Sequence, residues 1–327
     1  MTDQHAPTAP AFAPDDLALR LRQGEQRALA RAISLAERGG PAARALLDAL
    51  SPATGRAWVI GVTGPPGAGK STLVSALVAH WRAAGRRVAV LAIDPSSPLS
   101  GGALLGDRIR MQAHGGDAGV FIRSMADRGR LGGIARATGD AVALCDAAGY
   151  GIVLVETVGA GQGDVLIGGV VHTTIVVQAP GMGDDVQALK AGILEIGDVL
   201  VVTKADRPGA DSTLRELRAM LALAPATAGS WPPLVIACAA LDGLGVAEVA
   251  EAAAQHHDWV WERRASWELR RADAELRRLV QEVALERALA ADATWRAVVE
   301  RVARRELAPA AGAQLLLEAL QPRADSA

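Results

Sequence analysis

Cysteine is nearly absent from this chain: two thiols, Cys145 and Cys238, among 327 residues. They stand in unrelated apolar neighbourhoods, without the C-x-x-C spacing of a redox pair or a zinc site. This excludes a disulfide framework and predicts buried structural thiols. Long apolar runs are missing too, since none approaches the ~18 residues a membrane span requires. The first fifteen residues hold Asp3, Asp15 and three prolines, with neither a basic start nor an apolar core, so they do not read as a signal peptide. The expected location is the cytoplasm, with no membrane partner. An excess of positive charge is also lacking: 34 basic residues face 36 acidic ones, for a net charge of −2. Nothing in that balance points to nucleic acid, and the arginine clusters near the C-terminus lie on predicted helix faces, where they read as solvated. The scarcity that matters most is of lysine. Only Lys70, Lys190 and Lys204 break the use of arginine for positive charge. A compact ammonium is not interchangeable with a flat guanidinium, so those three positions are read first.

What is present is an ordinary globular composition, half hydrophobic and about a fifth charged. Residues 1–15 are rich in Pro and Ala without periodicity and read as disordered. From 16 to 50 the apolar residues recur at helical spacing, and Gly39, Gly40 and Pro41 divide this stretch into two helices. Short Val- and Ile-rich runs then predict strands at 58–62, 88–93, 120–122, 152–155, 174–178, 199–203 and 234–237. Helical stretches at 71–84, 133–148, 186–196, 212–222 and 246–257 fill most of the gaps. Apolar strands alternating with helices predict an α/β fold, a doubly wound and mostly parallel sheet covered on both faces. Ligands of such sheets bind beyond the carboxyl ends of the strands. From Trp259 the pattern changes to long helices with Arg and Glu outward. Pro309 interrupts them, and a last helix is predicted at 313–320. Trp259, Trp261 and Trp267 fit either an interface or packing of this arm on the main domain. The organisation expected is a disordered 1–15, a helical extension over 16–55, a nucleotide domain over 56–258 and a helical arm over 259–327.

The nucleotide reading rests on one motif and its surroundings. Gly64, Pro65, Pro66, Gly67, Ala68, Gly69, Lys70 and Ser71 fit G-x-x-x-x-G-K-[ST], directly after an apolar strand and opening a helix. Glycines let the backbone N–H groups turn inward onto phosphate oxygens, and the helix N-terminus adds positive dipole. Lys70 would reach the terminal phosphates, the Ser71 hydroxyl would serve Mg²⁺, and Thr72 joins the phosphate-binding set. Asp94 and Glu156 end two other strands, where Mg²⁺ or the attacking water would need a carboxylate. Asp107, in a Gly-rich stretch, is a third acidic candidate. Gly159, Gly161 and Gly163 around Gln162 form a loop just past Glu156, where a segment responsive to the terminal phosphate is expected. Thr203, Lys204, Ala205 and Asp206 read as a variant of N-K-x-D. The carboxylate of Asp206 would accept from the guanine ring N–H and amino group, and the Lys204 stem would pack along the base. Thr203 stands where asparagine is usual.

Taken together, 64–71, Asp94-Pro-Ser-Ser, the Gly101 to Met111 stretch, Glu156-Thr-Val-Gly-Ala-Gly-Gln162, Pro180-Gly-Met-Gly-Asp184-Asp185 with Gln187 and Lys190, and Thr203 to Asp206 resemble the MeaB/ArgK family. The likeness covers roughly 20–260 well and the arm loosely. It implies a P-loop GTPase of the SIMIBI class, using GTP/GDP and Mg²⁺, that acts as a chaperone of an adenosylcobalamin-dependent acyl-CoA mutase such as methylmalonyl-CoA mutase. It further implies a homodimer held partly by the C-terminal arm, and a GTPase cycle that gates cofactor loading, protection or rescue of the mutase. A third switch loop would run over 181–190, with Lys190 in it and with Met182 and Asp185 as small departures. Lys70, Asp94, Asp107, Glu156 and Lys190 are the catalytic candidates on this reading. Two alternatives share the broad fold: a nickel-insertion GTPase, for which His256-His257 is the only histidine pair, and an ATP-using kinase of a transport-associated protein, which Asp206 opposes.

Overall fold

The structure, a computed structural model, describes residues 14–95, 114, 116–127, 133–157, 169–181, 196–223 and 229–319, with backbone alone at Pro14, Asp94, Pro95, Ala126, Asp127 and residues 133–136. Seven strands among these residues form one sheet: β1 (Trp58–Thr63), β2 (Val88–Pro95), β3 (Val120–Asp127), β4 (Ile152–Thr157), β5 (Thr173–Gln178), β6 (Val199–Val202) and β7 (Leu234–Ala237). Their order is β3-β2-β4-β1-β5-β6-β7, and every pairing is parallel. All seven predicted strands are present. The chain leaves β1 toward β2 and β3, then returns to place β4 and β5 on either side of β1. That reversal opens a crevice at the carboxyl end of β1, the position at which doubly wound sheets bind ligands.

Each central strand is buried along its whole length because both faces are covered. Along β1, Trp58, Ile60 and Val62 point into one cluster, packed by α4 (Lys70–Ala83) and α7 (Val246–Glu262). Val59 points into the other, as the two-residue period of a strand requires. That second cluster joins α5 (Gly133–Ala147) to the N-terminal helices α1 (Pro14–Arg22), α2 (Gln26–Arg38) and α3 (Pro41–Leu50). Leu21, Leu29, Ile33, Leu46 and Leu50 are buried against Leu91, Val153 and Val155, so these helices form part of a layer of the sheet's own core. A smaller cluster beneath α6 (Ala210–Leu223) covers Val176, Leu200 and Val202. Both cysteines are buried free thiols.

Two local expectations need correction. The stretch expected as two N-terminal helices holds three. Gly24 adopts φ +80°, Gly24 N–H bonds Leu21 O and Glu25 N–H bonds Arg20 O, the paired bonds that end a helix on a left-handed residue. The apolar period runs in phase across this break, which is why periodicity alone does not reveal it. Pro309 does not interrupt a helix either. It opens α10 (Pro309–Glu318) at the first turn, where a missing N–H costs no helical bond.

The chain divides into compact units at 1–264 and 265–327. The second contains most of α8 (Arg264–Ala290), then α9 (Asp292–Ala303) and α10, with a small core of Ala288, Val298 and Leu316 flanked by Trp295, Val302 and Leu307. Among the described residues no helix is long and apolar enough to cross a membrane.

At the amino end of the strands, a chain of polar contacts ties α7 to the sheet. Trp58 Nε1–H donates to Thr173 Oγ1 at 3.1 Å, which lies 3.1 Å from His256 Nδ1. His256 Nε2 lies 3.2 Å from Asp198 Oδ1, and Asp198 Oδ2 accepts the Thr174 N–H at 2.7 Å. Trp231 packs edge-on against His256, and Trp259 stacks on it. Trp261 stacks on His257, so two of the three late tryptophans pack within the first unit. Burial pushes the Asp198 carboxyl up to about 7. Burial, then the neighbouring His257, pushes His256 down to about 4. The raised carboxyl favours the fold below its ordinary 3.8, and that contribution is lost as pH rises through 7. The lowered imidazole favours the fold above its ordinary 6.5, and that contribution is lost as pH falls toward 4. Between pH 4 and 6.5 the two slopes oppose each other, because the pair holds one proton whether the chain is folded or not. His256→Gln should leave the Asp198 slope alone. The variant's urea midpoint, relative to wild type, should therefore fall as pH rises across that window; parallel profiles would contradict the shared proton.

Candidate functional site

The carboxyl ends of β1, β4, β5 and β6 converge on the loop that follows β1. Gly64 has φ +142°, and a Cβ there would sit 2.1 Å from Val177 O on β5. Only glycine lets the loop leave β1 so close to its neighbour. Gly69, at φ +92°, caps α4 without any side-chain hydrogen bond to the helix's first N–H groups. An uncapped helix start facing a strand end is suited to anionic oxygens. Lys70 is buried, and its ammonium donates to Gly64 O at 2.8 Å and Pro65 O at 3.0 Å, so it lies across the loop.

Ser71 and Glu156 meet at the floor of the site. Strand pairing puts Glu156 beside Val62 on β1 and Ala92 on β2, and Ser71 Oγ–H donates to Glu156 Oε1 at 2.6 Å. Both are buried. Just beyond, Thr157 Oγ1–H donates to Thr63 Oγ1 at 3.0 Å and joins the ends of β4 and β1. A hydroxyl that gives its proton to a carboxylate keeps lone pairs for a cation, and Mg²⁺ selects hard oxygen donors of this kind. The two side chains therefore fit a Mg²⁺ ion. Asp94 lies at the end of β2, one step past Ile93, which pairs with Thr157; its backbone is thus on the same edge, and its side chain is outside the description.

The loop's outer side is held by the segment after β6. Thr203 is buried, and its Oγ1 contacts Ala68 O and lies 2.9 Å from Gln178 O. One hydroxyl proton serves one carbonyl at a time, whereas an asparagine amide would bring two N–H donors. Thr203 keeps a tether to the loop with one donor fewer. Lys204 adopts φ +51°, uncommon for a residue with a side chain, and its ammonium donates to Gly67 O at 2.8 Å. Asp206 is exposed at the turn that follows, where Arg207 N–H closes on Lys204 O at 2.9 Å.

Of the residues singled out by sequence, the structure gathers Gly64, Pro65, Pro66, Gly67, Ala68, Gly69, Lys70, Ser71, Thr72, Glu156, Thr203, Lys204 and Asp206 around one loop and its immediate neighbours. Asp107, Lys190 and the 159–163 loop lie outside the described residues, as does all of the 181–190 segment but Gly181. Two participants carry no motif. Gln178 ends β5 with its side chain buried, and its main-chain oxygen receives the Thr203 N–H at 2.8 Å. Cys238, after β7, receives the Ala205 N–H at 3.2 Å and so places a further loop beside the Asp206 turn. Both act through backbone atoms, which leave no pattern of residue types to find.

The family model described as "Methylmalonyl Co-A mutase-associated GTPase MeaB" matches residues 29–293. A protein of Pyrococcus horikoshii that carries a provisional GTPase name is 42% identical over 313 residues, covering 94% of this chain and 99% of that one. The GTPase ArgK of Escherichia coli is 40% identical over 244 residues, 70% of this chain and 72% of its own length. Among solved structures, that of a LAO/AO transport system kinase superposes with a TM-score of 0.72 at 29% identity, over 97% of this chain and all of that one.

Proposed function

We propose, from the premise that this chain belongs to the MeaB family of methylmalonyl-CoA mutase-associated GTPases, that it hydrolyses GTP with Mg²⁺ in the service of a cobalamin-dependent acyl-CoA mutase. The observation that carries the reading is the buried Ser71–Glu156 contact at the start of α4, which supports a cation site under the loop proposed to take the phosphates.

In this reading the loop N–H groups and the first turn of α4 bind the phosphate oxygens, and Lys70 moves its ammonium from the loop carbonyls to the terminal phosphates. Ser71 and Glu156 would hold Mg²⁺, directly or through water, and the chemistry it would supply there is neutralisation of charge on the phosphoryl oxygens. The tether from Thr203 and the ammonium of Lys204 fix the loop's shape before the nucleotide arrives, so little ordering cost remains at binding. Asp206 offers two carboxylate oxygens to the N–H donors on the guanine edge, which adenine does not present in that arrangement. Asp94, Asp107 and Lys190 complete the proposed catalytic set. The kinase name of the structural neighbour belongs to that protein.

The partner is a cobalamin-dependent acyl-CoA mutase, and the working form is a homodimer in the cytoplasm. The second unit supports the dimer: Leu269, Leu276 and Val283 recur every seven residues on α8 and are all exposed, as a helix seam would be. Purified protein is expected to run at twice its 33.7 kDa mass, to hydrolyse GTP slowly alone, and to be stimulated by the mutase that co-purifies with it from the source cell. Equal hydrolysis of ATP and GTP would sink the guanine assignment. Absence of any mutase from the captured proteins, with no stimulation by one added, would sink the chaperone role.

A further inference from the structure

At the amino end of the sheet, opposite the nucleotide loop and about 20 Å from it by strand length, lies a second cavity of about 520 Å³. It is bounded by the turn between α1 and α2, the segment before β1, and the approaches to β2 and β4. Three guanidinium groups line it: Arg22, Arg56 and Arg87. Each is anchored on main chain, Arg22 on Ala49 O, Arg56 on Ala53 O at 3.0 Å, and Arg87 on Ala148 O at 3.0 Å. Arg87 lies over the Tyr150 ring, 4.3 Å from its centroid, and Gly24 and Gly149 approach the guanidinium so closely that a Cβ at either would touch it at 3.4 and 3.1 Å. Its place is set before any ligand arrives.

Among the described residues none of the three arginines forms an ion pair. The one carboxylate in the wall, Asp146, is engaged by the main-chain N–H groups of Gly55, Arg56 and Ala57. A single carbonyl contact or two uses only part of the five donors on each guanidinium, so most remain for a guest. Forks of this geometry match phosphate oxygens, and the excess of positive charge calls for a dianion or more. The volume falls within the range of pockets that hold small molecules, larger than a bare phosphate needs.

We propose that this cleft is a second anion site, which takes a phosphate-bearing small molecule and joins the N-terminal helices to the amino end of the sheet. The test is calorimetric titration of the full-length protein, loaded with GDP and Mg²⁺, using inorganic pyrophosphate in one arm and adenosine 5′-monophosphate in the other. One additional binding event is expected. Arg56→Gln and Arg87→Gln should each weaken it about tenfold, the worth of a charge-assisted hydrogen bond, with GDP affinity unchanged. Arg56 is exposed, so its variant reports on binding even if Arg87→Gln disturbs the packing on Tyr150. Tighter binding of the nucleotide would identify a phosphorylated organic ligand, and binding of pyrophosphate alone a free phosphate anion. An event that responds to Lys70→Ala and not to the arginine variants belongs to the nucleotide loop. That result, or no second event in either arm, would overturn the proposal.

Discussion

Lys70→Ala is expected to weaken GTP binding by about 10²–10⁴-fold while the fold survives. The ammonium is buried at the start of α4 and donates to main-chain carbonyls of the loop, Gly64 O and Pro65 O. When phosphate oxygens take the place of those carbonyls, two charge-assisted hydrogen bonds form, each worth about 1.5–3 kcal/mol. Losing both accounts for the range given. Alanine also has the better helix propensity at that position, so α4 itself should not suffer. The measurement is a GTP-binding isotherm beside a circular dichroism melt. A folded variant with unchanged GTP affinity would refute the assignment of the loop.

The second large effect is expected at Asp206. Asp206→Asn replaces an acceptor-only carboxylate by an amide with one acceptor and an N–H₂ donor. Guanine then meets a donor where its own amino group must donate. Affinity for GTP should fall about 100-fold, the loss of one charge-assisted bond and the repulsion of the new donor. Xanthine carries an oxygen in place of that amino group, so xanthosine triphosphate should gain affinity in the same variant. The swap of preference is the diagnostic reading, because a merely damaged turn would lose both nucleotides alike. The exposed position of Asp206 makes damage to the core an inadequate explanation of any change.

Thr203 shows where a motif and its physics part company. As a letter it departs from N-K-x-D. As a side chain it reaches Ala68 O across 135 positions of sequence and holds the loop after β1 to the turn after β6. The motif names the residue types that meet the ligand. It does not name the supports beneath them, such as Gln178 O, Cys238 O or the Thr63–Thr157 bond, since many residue types present the same backbone oxygen.

Much was legible from residue types alone. Val- and Ile-rich runs mark the seven strands because a strand covered on both faces has nowhere to put a polar side chain. The G-x-x-x-x-G-K-[ST] run marks the loop because few other residues permit its turns or supply its charge, and the family follows from the order of motifs. Three things were settled only by the folded chain. Strand order put Glu156 under Ser71; the break at Gly24 split the first of the two expected N-terminal helices in two; and the meeting of Arg22, Arg56 and Arg87 at the amino end of the sheet built a cleft from residues with no motif in common. Periodicity and turn chemistry are local and can be read along the chain. Proximity between distant segments depends on how the layers close over a common core, and the amino-acid order carries it only through that packing.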